Sequence, residues 1–179
     1  DIYSSIGNQF IGSLNDDFNA AFISLSPKLN DIQIRCRLVE QLFSDTLFDP
    51  EEPLAVTVLK LASDKKEPIS IVIEHAHFLS LQLMHEFCQL ADIAAKGDRC
   101  VNVLLLGEER AGQLITENTV VFNDKLSILN AADGQLIPND STMFSPAKAK
   151  IMLTPAVVAQ RDQSRDVYDN NDQWQSKND

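Results

Sequence analysis

Glu74, His75 and His77 stand together directly behind a run of β-branched residues, in a stretch that reads ISIVIEHAHFL from Ile69 to Leu79. An acid at the carboxyl end of a buried strand sits where open parallel sheets bind their ligands. A carboxylate there can hold the water network of a magnesium ion beside substrate phosphates. His75 and His77, two apart, fall on one side of an extended segment, and His85 with Glu86 lies one helix onward, so a metal cluster could be drawn from them. A strand-to-helix turn explains the same spacing without a metal, since zinc sites draw three or four converging ligands. Glu108 occupies the matching place after a second apolar run, Val101 to Leu106, closed by Gly107.

Other chemistries find less support. Cys36 lies between Arg35 and Arg37 with no base assigned to it. Cys88 and Cys100 flank apolar stretches and read as small core residues, and no CxxC occurs. There is no GxSxG elbow and no Ser-His-Asp order. Arg35, Arg37 and Arg110 could grip a phosphate or a partner's carboxylate, but arginines at helical spacing usually form a solvated face. The 26 acids against 15 Lys and Arg give a net charge of −11. Such a field repels phosphate backbones and anionic lipid, which sets nucleic acid aside as a partner. The apolar runs fall far short of the ~20 residues of a spanning helix, so no direct membrane insertion is expected in this segment.

These residues need elements to position them. Ile2, Ile6, Phe10 and Leu14 predict an amphipathic helix within Asp1 to Asn15, and Asn19 to Ser26 predicts a short buried strand. Ile34, Leu38, Val39, Leu42 and Phe43 predict a helix over Ile32 to Phe43 with Asp31 as its cap. Two prolines and four carboxylates make Ser44 to Pro53 a loop, and helical spacing resumes from Leu54 to Ala62. Strand, helix, strand, helix then follow as Ile69 to Ile73, Ser80 to Ala95, Arg99 to Leu106 and Glu108 to Ile115. That alternation predicts an α/β fold: a three-layer parallel sheet with helices on both faces, built from right-handed crossovers. Lys125 to Leu129 and Gln135 to Ile137 flank Asp133-Gly134 and predict a β-hairpin, and Ala149 to Leu153 predicts one more strand. The expected division is a domain over 1–158 and a flexible polar tail over 159–179.

The order and spacing of three segments resemble the AAA-type, P-loop-NTPase-fold domain of the bacterial DamX-type and ExeA-type proteins. Ile69 to Leu79 is similar to the family's Walker B strand and its turn of two acids, Ala and His or Gln. Ser24 to Leu54 (SLSPKLNDIQIRCRLVEQLFSDTLFDPEEPL) resembles the helix and acidic loop before it, and Val101 to Leu114 (VNVLLLGEERAGQL) resembles the fourth strand and sensor 1 region. The resemblance covers roughly Ser4 to Pro138. It implies that Glu74 falls on the acid that organises magnesium, His75 on the acid that polarises the attacking water, and Glu108 at the sensor that faces the nucleotide. By the same resemblance Glu74 and His75 would be catalytic, with Glu74 and Glu108 contacting ATP and Glu74 the magnesium site.

The sequence departs from that pattern at instructive points. No GxxxxGK[ST] occurs in the 179 residues, so the chain is expected to begin just past the phosphate-binding loop, and no nucleotide is expected to bind this chain tightly. Histidine replaces a carboxylate at His75, and Glu108 brings an acid where a γ-phosphate would lie. The resemblance implies a cytoplasmic domain, tethered to the inner membrane through a segment outside these residues. Its expected partners are cell-division or secretion and pilus-assembly proteins, and it is compatible with a homo-oligomer. The alternative from a different class is a catalytically inactive AAA-fold module for protein interaction.

Overall fold

The computed structural model describes residues 2–118, 122, 126–131, 135–137 and 150–153. In chain order its elements are α1 (Ile2–Ser13), β1 (Asn19–Ser24), α2 (Asp31–Leu42), α3 (Leu54–Leu61) and β2 (Ile69–Glu74). A 3₁₀ turn (Ala76–Phe78), α4 (Leu81–Lys96), β3 (Val101–Gly107) and α5 (Glu109–Glu117) follow, and then β4 (Ser127–Asn130), β5 (Leu136–Ile137) and β6 (Lys150–Leu153). β1, β2 and β3 form a parallel sheet with β2 in the middle. Their register sets Ser24 beside Glu74, and Glu74 beside Leu106.

Strand alternation divides the core in two. Ala21, Ile23, Ile69, Ile71, Ile73, Val101, Val103 and Leu105 point to the side covered by α2, α3 and α4 and join the large cluster around Leu38, Leu83 and Phe87. Val72, Leu104 and Leu106 point the other way, against Ile6, Phe10, Ile11 and Phe22, which is the side of α1. With both faces covered, β2 is buried along its whole length, Ser70 and the terminal Glu74 included, as its mostly β-branched apolar sequence requires. α1 comes so close to the sheet that a Cβ on Gly7 would lie 2.6 Å from Phe22 Cε2.

Several expectations are corrected by contacts made over long distances in sequence. Asn30, not Asp31, caps α2: its side chain accepts the Gln33 N–H at 2.9 Å, and Gln33 Oε1 accepts the Asn30 N–H in return. Asp31 instead accepts the hydroxyl of Ser80 at 2.6 Å, while Ser80 caps α4 by accepting the Leu83 N–H. Arg35 is no solvated charge. It is 7% exposed and grips Glu86 through Nε at 3.0 Å and Nη2 at 2.6 Å, and Glu86 also accepts the Leu54 N–H at the start of α3. Cys88 is buried as expected, whereas Cys100 is exposed, at the open start of β3.

The strand predicted over Ala149 to Leu153 forms as β6, but in a place the sequence did not disclose. It runs antiparallel between β3 and β4, so the sheet order is β1-β2-β3-β6-β4-β5. The parallel sheet is therefore three strands wide and continues as an antiparallel half, with β4 and β5 paired through Ile128 and Ile137 as a hairpin requires. The expected turn residues Asp133 and Gly134 and the tail over 159–179 lie outside the described residues. At the opposite edge, Gln41 of α2 accepts the outward N–H of Phe22 at 2.8 Å, and Asn19 donates to the Leu42 carbonyl at 2.9 Å.

Candidate functional site

The carboxyl ends of β2 and β3 lie side by side, and the residues singled out from the sequence gather there. Glu74 ends β2. It is 2% exposed, its carbonyl accepts the Leu25 N–H at 3.1 Å, and alternation places its side chain on the face of Val72, toward the α1 side. Its Oε1 is buried with no hydrogen-bond partner, as are Ser70 Oγ and Glu109 Oε1 elsewhere among the described residues. A buried carboxylate oxygen left without a donor is costly, on the order of 1–3 kcal/mol or more, and sequences seldom keep one without a use.

The chain leaves Glu74 through His75, which adopts the left-handed conformation (φ 56°, ψ 41°). A non-glycine residue there carries strain of order 1 kcal/mol, and such strain collects at turns that present side chains to a site. The following 3₁₀ turn is closed by the Phe78 N–H to the His75 carbonyl at 2.9 Å. It raises a small aromatic group: the His75 and His77 rings meet edge to face at 5.8 Å, His77 and Phe78 lie 4.2 Å apart, and the Arg110 guanidinium stands 6.0 Å from the Phe78 ring.

The second turn closes on the first. Gly107 lies close against the first turn: a Cβ there would press on Ala111 Cβ at 3.2 Å and on the His77 backbone nitrogen at 3.3 Å. That approach lets the Glu108 N–H donate to His77 Nδ1 at 3.3 Å, and brings Glu108 Oε1 to 3.8 Å from His77 Nε2. Glu108 also accepts from Arg110 at 3.2 Å. The His77 side chain is 2% exposed, and burial holds its pKa below the ordinary imidazole value; the Glu108 carboxylate pulls upward, and Arg110 and His75 push further down. Glu108 itself is half exposed, at the mouth of the turn.

The structure thus brings Glu108 to His77 and leaves Glu74 on its own side of β2. His85 is carried away on α4, where its neighbour Glu86 is committed to Arg35. Among the described residues no three His, Cys, Asp or Glu side chains converge on a point where a cation could sit, so the clustered-metal reading has no geometric support. Sequence reasoning missed the His77–Glu108 bond, which joins residues 31 apart and leaves no periodic trace. The nearest signal was Gly107, the small residue that close approach demands. Compared with protein-family models, with curated proteins and with solved structures, the chain matches none.

Proposed function

We propose that this chain is an ATPase-like domain of the AAA type, with a P-loop-NTPase-like three-layer fold, from a bacterial envelope protein of the cell-division or secretion and pilus-assembly kind. The observation that carries the reading is Glu74, a buried carboxylate with an orphaned oxygen at the end of the central parallel strand, followed at once by a strained residue. That placement suits an acid that steadies a magnesium-bound water beside a polyphosphate. Glu74 fits such a role by its oxygen chemistry, and ATP with magnesium is the ligand implied. The phosphate-binding loop that would complete the site has no counterpart in the 179 residues. In this reading the domain works on the cytoplasmic side, tethered to the inner membrane by a segment elsewhere, and acts through protein partners. Among the described residues no helix is long and apolar enough to cross a membrane.

A second reading, an inactive AAA-fold interaction module, is favoured by one specific arrangement. Glu108 is engaged by Arg110 and packed at His77, and His75 stands where an activating carboxylate would be needed. Calorimetric titration of ATP into the full-length protein carrying this segment separates the two. Micromolar binding that requires magnesium and weakens about tenfold or more in Glu74→Gln supports the nucleotide reading. No heat with or without magnesium leaves the scaffold reading in its place.

A further inference from the structure

We infer that His77 is a proton-sensitive latch that holds the Glu108 backbone N–H in its neutral form and, when protonated, releases that N–H and holds the Glu108 carboxylate instead. The inference rests on the ring's bonding and stands whether or not a nucleotide binds. Nδ1 accepts the Glu108 N–H, so in this arrangement Nδ1 carries a lone pair and the single ring proton is on Nε2. A proton added to the imidazole can go only to Nδ1. There it points at the amide hydrogen it formerly accepted, so the one bond from the β2 turn to the Glu108 N–H is lost. The cation formed is not stranded, because Glu108 Oε1 lies 3.8 Å from Nε2 and can close to an ion pair. The same residue therefore has two arrangements, held by its backbone when His77 is neutral and by its side chain when His77 is charged.

The surroundings fit a switch. From the start of α5, Glu108 favours the cation and Arg110 opposes it; from the residue before the 3₁₀ turn, His75 opposes it; β3, VNVLLLG, carries no titratable side chain. Glu108 is the residue that starts α5, and that end has no side-chain cap. Releasing its N–H thus loosens the first turn of a nine-residue helix rather than a rigid core.

The test is an NMR titration of the uniformly ¹⁵N-labelled chain from about pH 8 to about pH 5. Expected at the upper end is an Nε2–H tautomer of His77 and a protected Glu108 amide. As pH falls, the ring and the Glu108 amide should shift with one common midpoint. Amide protection, corrected for intrinsic exchange, should fall about five- to tenfold, the loss of roughly one hydrogen bond. In His77→Asn the Oδ1 can still accept at the position of Nδ1 but does not titrate, so Glu108 protection should stay level across the range. An Nδ1–H tautomer at the upper end, unequal midpoints, or a pH-dependent Glu108 amide surviving in His77→Asn would overturn the latch. The tautomer and the midpoints come from the wild-type chain, so the test does not depend on the variant folding.

Discussion

At the scale of single residues, the carboxyl end of β2 holds groups that oppose stability. Glu74 carries a buried oxygen without a donor, and an apolar side chain of similar length would fill the same space at no desolvation cost. Glu74→Met should therefore raise the free energy of unfolding by about 1–3 kcal/mol, read as a higher urea midpoint at unchanged slope. A lower midpoint would show that the carboxylate is already satisfied. His77 gives the chain a pH dependence of definite sign. Its folded pKa lies below the ordinary value through burial, so the unfolded chain binds the proton more readily. The resulting stability is complete above about pH 6.5 and is lost as pH falls from there toward the folded pKa. The difference in urea midpoint between wild type and His77→Asn should hence change between about pH 7.5 and about pH 5.5, and a constant difference would contradict it.

Elements are where most of the fold was legible and where the rest was hidden. Ile34, Leu38, Val39 and Leu42 announced α2, and the run from Ile69 to Ile73, apolar but for Ser70, announced a strand covered on both faces, because local patterning records what each face will touch. Periodicity says nothing of which charge meets which. Arg35 looked like surface and is instead the bolt between α2, α4 and the first turn of α3. Burial alone would raise the Glu86 carboxyl, but the Arg35 guanidinium, the Leu54 N–H and Gln82 hold it below the usual range. Arg35→Ala leaves that carboxylate uncompensated and should cost about 3–5 kcal/mol by denaturant melt, whereas Arg35→Met with Glu86→Leu should recover most of the loss. The contribution of Glu86 is present above the ordinary carboxylate pKa and fades as pH falls through its lowered one. α1 makes a separate forecast. Gly7→Ala should gain helix propensity of up to about 1 kcal/mol, yet lose more by pressing on the Phe22 ring, for a net loss of about 1 kcal/mol. Phe22→Leu in the same chain should remove that loss.

For the molecule as a whole, a formal charge of −11 sets a repulsive field against which the core must hold. Raising sodium chloride from about 20 mM to about 300 mM screens it, and the melting temperature should rise by a few degrees; a falling one would mean that ion pairs such as Arg35–Glu86 outweigh the repulsion. The mixed sheet has a further consequence, in time rather than in space. β3 finds its outer neighbour in β6, with Gly107 paired to Lys150, so the edge of β3 must wait for 43 further residues to be made. At ribosomal speed that interval is about 2–9 s, long compared with the collapse of the three parallel strands. During it the nascent chain presents Leu104, Leu105 and Leu106 on a strand whose outer edge is unpaired, the arrangement that invites another chain to pair. The other edge needs no such wait, because α2 covers it as soon as that helix packs, Gln41 taking the Phe22 N–H and the Asn19 side chain of β1 donating to the Leu42 carbonyl. Overexpression should therefore fail first by association through β3, and synthesis slowed between the codons for Gly107 and Lys150 should make it worse.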